Sequence, residues 1–215
     1  MRGAVSLSLV AGCIAASPAS AVDCAVLRNS TAPFEIKLER RIGIEGAEPA
    51  VAEGQLQVFR SGAGHVTYQS FSPGAFFRTR YTVPGFPDEF FVSKEGTRIA
   101  VTYSIPLAAS ALTDEKPLAF HVTMTRSDGQ IVGEQDHTLS FQGHRSVDLG
   151  GCAFDAIRAT RKVVGRINDK YSESETEFWF APELGTALYL KTLMAKGPTQ
   201  TYAAKDISLD VKPME

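Results

Sequence analysis

From Phe34 onward the chain alternates apolar and polar residues with a period of two. Phe34, Ile36 and Leu38 interleave with Glu35, Lys37 and Glu39, as expected of a strand with one face on a core and the other in water. Phe120, Val122 and Met124 alternate in the same way with His121, Thr123 and Thr125, and Ile207, Leu209 and Val211 with Ser208 and Asp210. Helical spacing is sustained nowhere as convincingly. Turn chemistry divides these runs. Ser61 to Gly64, Lys94-Glu95-Gly96 and Ser127-Asp128-Gly129 each place a glycine where a hairpin needs positive φ, and further breaks fall at Gly143, Gly150-Gly151, Asn168-Asp169 and Gly197-Pro198. The pattern predicts about ten strands, most of them joined to their sequence neighbours.

An antiparallel run of that width twists until it curls or closes. The expected fold is therefore all-β with little helix, a curled antiparallel sheet forming a half-barrel, a barrel or a sandwich. Two segments break the pattern. Pro84 to Pro87 is too proline-rich for a central strand and reads as a bend or a sheet edge. Pro106 to Pro117, with Ala108 to Leu112 inside it, reads as a loop crossing the sheet, or as a connector with one short helical turn. No composition shift or repeat divides the rest, so residues 22–215 are expected to form one β-rich domain.

Residues 1–21 do not belong to that pattern. Arg2, the apolar run Ala4 to Ala16, the break at Ser17-Pro18 and the small residues Ala19-Ser20-Ala21 make a signal peptide with cleavage after Ala21. Val10-Ala11-Gly12-Cys13 resembles the lipobox of bacterial lipoproteins, so lipidation at Cys13 is the alternative fate. Either places the domain in the periplasm, on the envelope, or outside the cell. No later stretch is long and apolar enough for a transmembrane helix. In such a compartment Cys24 and Cys152 are expected to pair. The chain-entropy model gives so long a loop about 4 to 5 kcal/mol of stabilisation.

The formal charge is −2, and removing residues 1–21 takes Arg2 and no acid. Nothing here makes the clustered basic surface that nucleic acid requires. Four histidines, His65, His121, His137 and His144, lack the spacing of a metalloprotease. His137 and His144 flank an expected turn at Gln142-Gly143, where they and Asp136 or Asp148 would meet in a hydrolase. There is no Gly-x-Ser-x-Gly elbow and no phosphate-cradling glycine loop. Glu173, Glu175 and Glu177 share one face of a strand, which reads as a solvated outer wall or as an oxygen-rich cation site. No catalytic residue, metal site or cofactor is assigned.

Aromatic residues carry the strongest hint. Phe71, Phe76, Phe77, Tyr81, Phe86, Phe90 and Phe91 fall within 21 residues, and the adjacent pairs Phe76-Phe77 and Phe90-Phe91 must point to opposite faces. Phe178 and Phe180 likewise oppose Trp179, so an apolar ligand surface is expected among Phe76, Phe77, Phe90, Phe91, Phe178, Trp179 and Phe180.

The stretch Glu177 to Gly185, an aromatic strand running into Pro-x-Leu-Gly, follows Gly151-Cys152-Ala153-Phe154-Asp155-Ala156. Over residues 150 to 211 the chain resembles exported bacterial β-rich proteins of uncharacterised function, similar in architecture to the periplasmic lipoprotein carriers. The resemblance implies a sheet wrapped round a hydrophobic space. The expected role is an envelope domain binding a hydrophobic small molecule or an envelope protein on its concave face. The alternatives are a scaffold without a cavity, working through edge strands at Pro84, Pro87 and Pro117, and a hydrolase with a histidine and an acid.

Overall fold

The computed structural model describes residues 22–29, 31–44 and 46–212, so the signal sequence and Cys13 lie outside the described residues. Twelve antiparallel strands follow one another round a closed barrel: β1 (Phe34–Gly43), β2 (Ala50–Ser61), β3 (Gly64–Ser72), β4 (Ala75–Val83), β5 (Phe86–Val92), β6 (Thr97–Tyr103), β7 (Leu118–Arg126), β8 (Ile131–Leu149), β9 (Cys152–Ile167), β10 (Lys170–Ala181), β11 (Thr186–Met194) and β12 (Thr199–Ser208). Each pairs with the next, and β1 closes the ring against β12, with Ile36 opposite Ile207. Of the three expected forms the barrel is the one adopted, and the strands number twelve rather than about ten.

The differences have local causes. Of the two forms expected for Pro84 to Pro87, Pro84-Gly85 is the bend and not an edge. It is the hairpin tip between β4 and β5, with Val83 opposite Phe86 and Pro87 opposite Tyr81. Gly85 has a φ of +83°, and a Cβ on it would stand 2.8 Å from Leu112, so the turn and the packing both select glycine. Closure leaves no edge strand among the described residues. Nor does Gly143 end a strand: β8 runs through it, with a register shift between Phe141 and Gly143 that leaves Gln142 as a bulge. Asn168 and Asp169, at φ 49° and 61°, form the turn between β9 and β10, as a two-residue hairpin requires.

Strands β8 and β9 outrun their neighbours. Pairing of β7 stops at Leu139, and that of β10 stops at Ile157, so residues 145–149 and 152–156 form a two-stranded ribbon. The ribbon reaches across one end of the barrel to β12, where a Cβ on Gly150 would lie 2.8 Å from Ile207. Helix α1 (Cys24–Asn29), absent from the sequence reading, packs there too. Asp23 caps it by accepting hydrogen bonds from the amides of Ala25 (2.9 Å) and Val26 (3.2 Å). Leu27, Phe154, Leu149 and Leu184 join Phe34, Ile36, Val58 and Ile207 in one apolar cluster. The Cys24–Cys152 disulfide ties helix to ribbon. The opposite end carries only short links between strands.

The linker from β6 to β7 contains a single 3-10 turn, Ala109–Leu112, whose Leu112 is buried. It joins a second cluster with Phe86, Val101, Phe120, Leu139 and Phe180.

Candidate functional site

Alternation fixes what the barrel encloses. On β9, Ile157, Ala159, Arg161 and Val163 share the inner register, while Arg158 and Lys162 face out and meet Glu177 (2.7 Å) and Glu175 (3.6 Å) on β10. Further ion pairs stud the outer wall, Lys37–Asp206 and Arg80–Asp88 among them. A transmembrane barrel has the reverse arrangement, an apolar outer band, so this wall is built to face water. The acidic row is thus part of it: Glu175 and Glu177 are paired to cations, and Glu173 accepts from Tyr171 at 3.4 Å.

Inside, a cavity of about 230 Å³ is walled by Leu38, Leu56, Phe90, Phe178, Phe180, Leu188 and Leu190, with Thr67, Gln69, Thr79, Tyr81, Tyr202 and Arg161 interspersed. A cavity of about 150 Å³ suffices to hold benzene. A wider hollow of about 750 Å³ lies among Lys37, Glu39, Glu53 and Lys205, where Lys205 reaches Glu39 at 3.2 Å and Lys37 reaches Asp206 at 3.4 Å. The 230 Å³ cavity, with its leucine and phenylalanine wall, is the better ligand site.

Of the seven aromatic residues expected to form the ligand surface, Phe90, Phe178 and Phe180 line the cavity. Phe77 shares the inner register of Thr79 and Tyr81 but stands at the rim, 55% exposed. Phe76, Phe91 and Trp179 are on the outer wall. Trp179 stacks on Tyr189 at 4.2 Å beneath Arg145. Phe76 sits between Tyr68 and Phe91, at 5.6 and 6.1 Å, and Tyr68 extends the row to Phe59.

The inner wall also holds polar groups. His65 is buried, stacks on Tyr81 at 4.4 Å, and burial pushes its pKa down to about 4. His137, buried beside Phe120 and 3.3 Å from Gln135, is likewise depressed to about 4, first by burial and then by the charge of Arg161. Tyr103 donates to the Pro87 carbonyl at 2.5 Å, and burial raises its pKa.

His137 and His144 do not meet. His144 is exposed beyond the bulge and bonds Asp155 at 2.9 Å, and His121 pairs outside with Asp136 at 2.9 Å. With no turn at Gln142-Gly143, the predicted convergence is lost.

Arg40, Arg60 and Arg161 occupy inner-register positions. Arg60 donates to the Glu183 carbonyl at 2.9 Å and covers the Phe34 ring; Arg40 lies 4.6 Å over the Phe71 ring. Arg161 has neither kind of partner among the described residues, and its Nε is shielded from solvent without a hydrogen bond. The residue as a whole is half-buried and lines the cavity. Its signal was present in the sequence as a cation in the apolar register of Ile157, Ala159 and Val163.

No protein-family model matches the chain, and no curated protein matches it. Solved structures do. It is similar to the hypothetical lipoprotein YmcC from Escherichia coli (14% identity, TM-score 0.45, covering 90% of this chain and 91% of that one). It is similar also to a candidate lipoprotein from Parabacteroides distasonis (10%, 0.45, 87% and 100%) and to a LolA superfamily protein from Nitrosomonas europaea (10%, 0.35, 88% and 91%). These neighbours are of the kinds that residues 150 to 211 resemble, and the likeness runs over most of the chain. It is distant, and the functional reading rests on the barrel itself.

Proposed function

We propose that the protein is an exported envelope domain that takes an apolar small molecule into its barrel. The observation that carries this is the cavity: a partly open space of about 230 Å³ walled by leucines and phenylalanines, inside a barrel whose outer wall is charged. A cavity with such walls favours apolar guests because water there lacks partners. The N-terminal signal and the Cys24–Cys152 disulfide support export. Titration of the mature protein with the uncharged dye N-phenylnaphthylamine tests the reading. Saturable fluorescence enhancement is expected, and Leu190→Trp, which fills the space, should abolish it. Absence of saturable binding, or binding unchanged in Leu190→Trp, overturns it. The intact mass of protein from its own host decides between cleavage after Ala21 and lipidation at Cys13.

The outer row Phe59, Tyr68, Phe76 and Phe91 favours a second reading, a contact surface for an envelope protein. Crosslinking in intact envelopes, compared between the native chain and Phe76→Ser/Phe91→Ser, separates it from the first. A partner lost with those two rings supports it, and an unchanged crosslinking pattern removes it.

A further inference from the structure

We infer that the cavity is selective for an anionic amphiphile, one acyl chain ending in a carboxylate, with Arg161 as the counter-ion for that group. The inference rests on the cavity reading above and adds the chemical class of the guest. Four observations converge on it.

First, Arg161 lines the same cavity as Phe90, Phe178 and Phe180, so a cation and an apolar wall face one space. Second, the named inner-register positions carry no carboxylate. The acids of β10 and the Asp88 carboxylate are engaged elsewhere, with Arg158, Lys162, Arg80 and Thr82. Third, Arg60 has an internal carbonyl and ring and Arg40 an internal ring, whereas Arg161 has neither kind of partner among the described residues; a buried Nε without a hydrogen bond is common to all three. Fourth, hydroxyl groups stand with it on the inner wall: Thr67, Thr79 and Tyr81 line the same cavity.

An unpaired guanidinium in such a setting is unfavourable, since burial removes hydration without returning a hydrogen bond. Burial accordingly pulls the Arg161 pKa down. The planar fork of donors is matched by a carboxylate, which can accept two parallel hydrogen bonds. A guest with only an apolar chain fills the cavity and leaves the cation unanswered. A small anion without a chain answers the cation and leaves the leucine and phenylalanine wall unfilled.

The test compares three probes by calorimetry on the mature full-length protein: octanoate, 1-octanol and acetate. Octanoate is expected to bind about 10- to 100-fold more tightly than octanol, the range for a hydrogen-bonded charge, and acetate not measurably. In Arg161→Met the preference for octanoate over octanol should vanish while octanol binding persists. Arg161→Lys, which keeps the charge and loses the fork, should fall between. Octanol binding as tightly as octanoate to the native protein overturns the inference and leaves the apolar cavity standing. Acetate binding as tightly as octanoate overturns it in favour of an anion site alone. If neither octanoate nor octanol binds, both this inference and the cavity reading fail.

Discussion

The inner face of this barrel is built in two ways along its length. At the end crossed by the β8–β9 ribbon, Phe34, Ile36, Val58, Phe154 and Leu184 are at most 1% exposed and form a dry cluster. Toward the middle the same strands offer Leu38, Leu56, Thr67, Gln69 and Arg161 to an open space. The sealed end has a second layer, helix and ribbon, that completes the packing. Where that cover stops, the inner wall has no opposite surface to meet, and a barrel of twelve strands is too wide for its own side chains to fill. Stability and binding are thereby assigned to different stretches of the same strands.

The sharpest way to break that comparison is to truncate one ring in each region. Phe154→Ala should remove about 3 to 5 kcal/mol, because it opens a void in close packing that ribbon and helix cannot both collapse into. Phe178→Ala should cost well under half as much, since its ring already borders empty space, yet it should weaken uptake of the uncharged dye. Urea midpoints for the two variants decide the matter. Equal losses would mean that the cavity wall carries as much of the fold as the sealed end.

Which of these regions is legible in the sequence follows from what each one consists of. The strands and turns are local: Phe34 to Glu39 alternates, and Asn168-Asp169 can adopt positive φ, so the sheet and the cysteine pair are readable from residues alone. Closure is not local. It depends on β1 meeting β12 across 160 intervening residues or so, which no period reports. The same blindness misplaced the aromatics. A pair such as Phe90-Phe91 announces two faces but does not say which is inner, and only pairing with Thr79 puts Phe90 in the cavity and Phe91 outside. Pro84 suggested an edge because proline cannot donate to a ladder, yet a hairpin tip tolerates it as readily. Arg161 was passed over because a single charge in an apolar register is a weak signal until the strand is known to face a cavity.

A change of pH probes the polar part of the inner wall, with a somewhat smaller effect for each histidine. His65 and His137 remain neutral in the fold down to about pH 4, while in the unfolded chain they protonate near the ordinary value of 6.5. Below pH 6.5 the unfolded state therefore binds more protons, and stability falls with pH until about 4, where the folded histidines also protonate and the loss levels off. The loss is up to roughly 3 kcal/mol for each histidine. Urea midpoints at pH 7 and pH 4.5 should differ in the native protein and converge in His65→Gln/His137→Gln. An unchanged pH dependence in that double variant would mean that the carboxylates govern it.

The smallest expected effect has the opposite sign, and it bears most directly on why the middle of the barrel differs from its end. Arg161→Met replaces an unpaired cation by an apolar side chain of similar length on the cavity wall. Removing any other buried group discussed above destabilises, but here the group removed is itself unsatisfied, so the guest-free protein should gain about 1 to 2 kcal/mol. The gain should be visible as a higher thermal midpoint at neutral pH, without any probe present. If octanoate then raises the midpoint of the native protein but not that of Arg161→Met, the native arginine is a feature retained against stability for the sake of the guest. A midpoint that falls on substitution would instead make Arg161 a structural member of the wall, held by its stem against Ala159 and Val163, and the two regions of the barrel would no longer differ in kind.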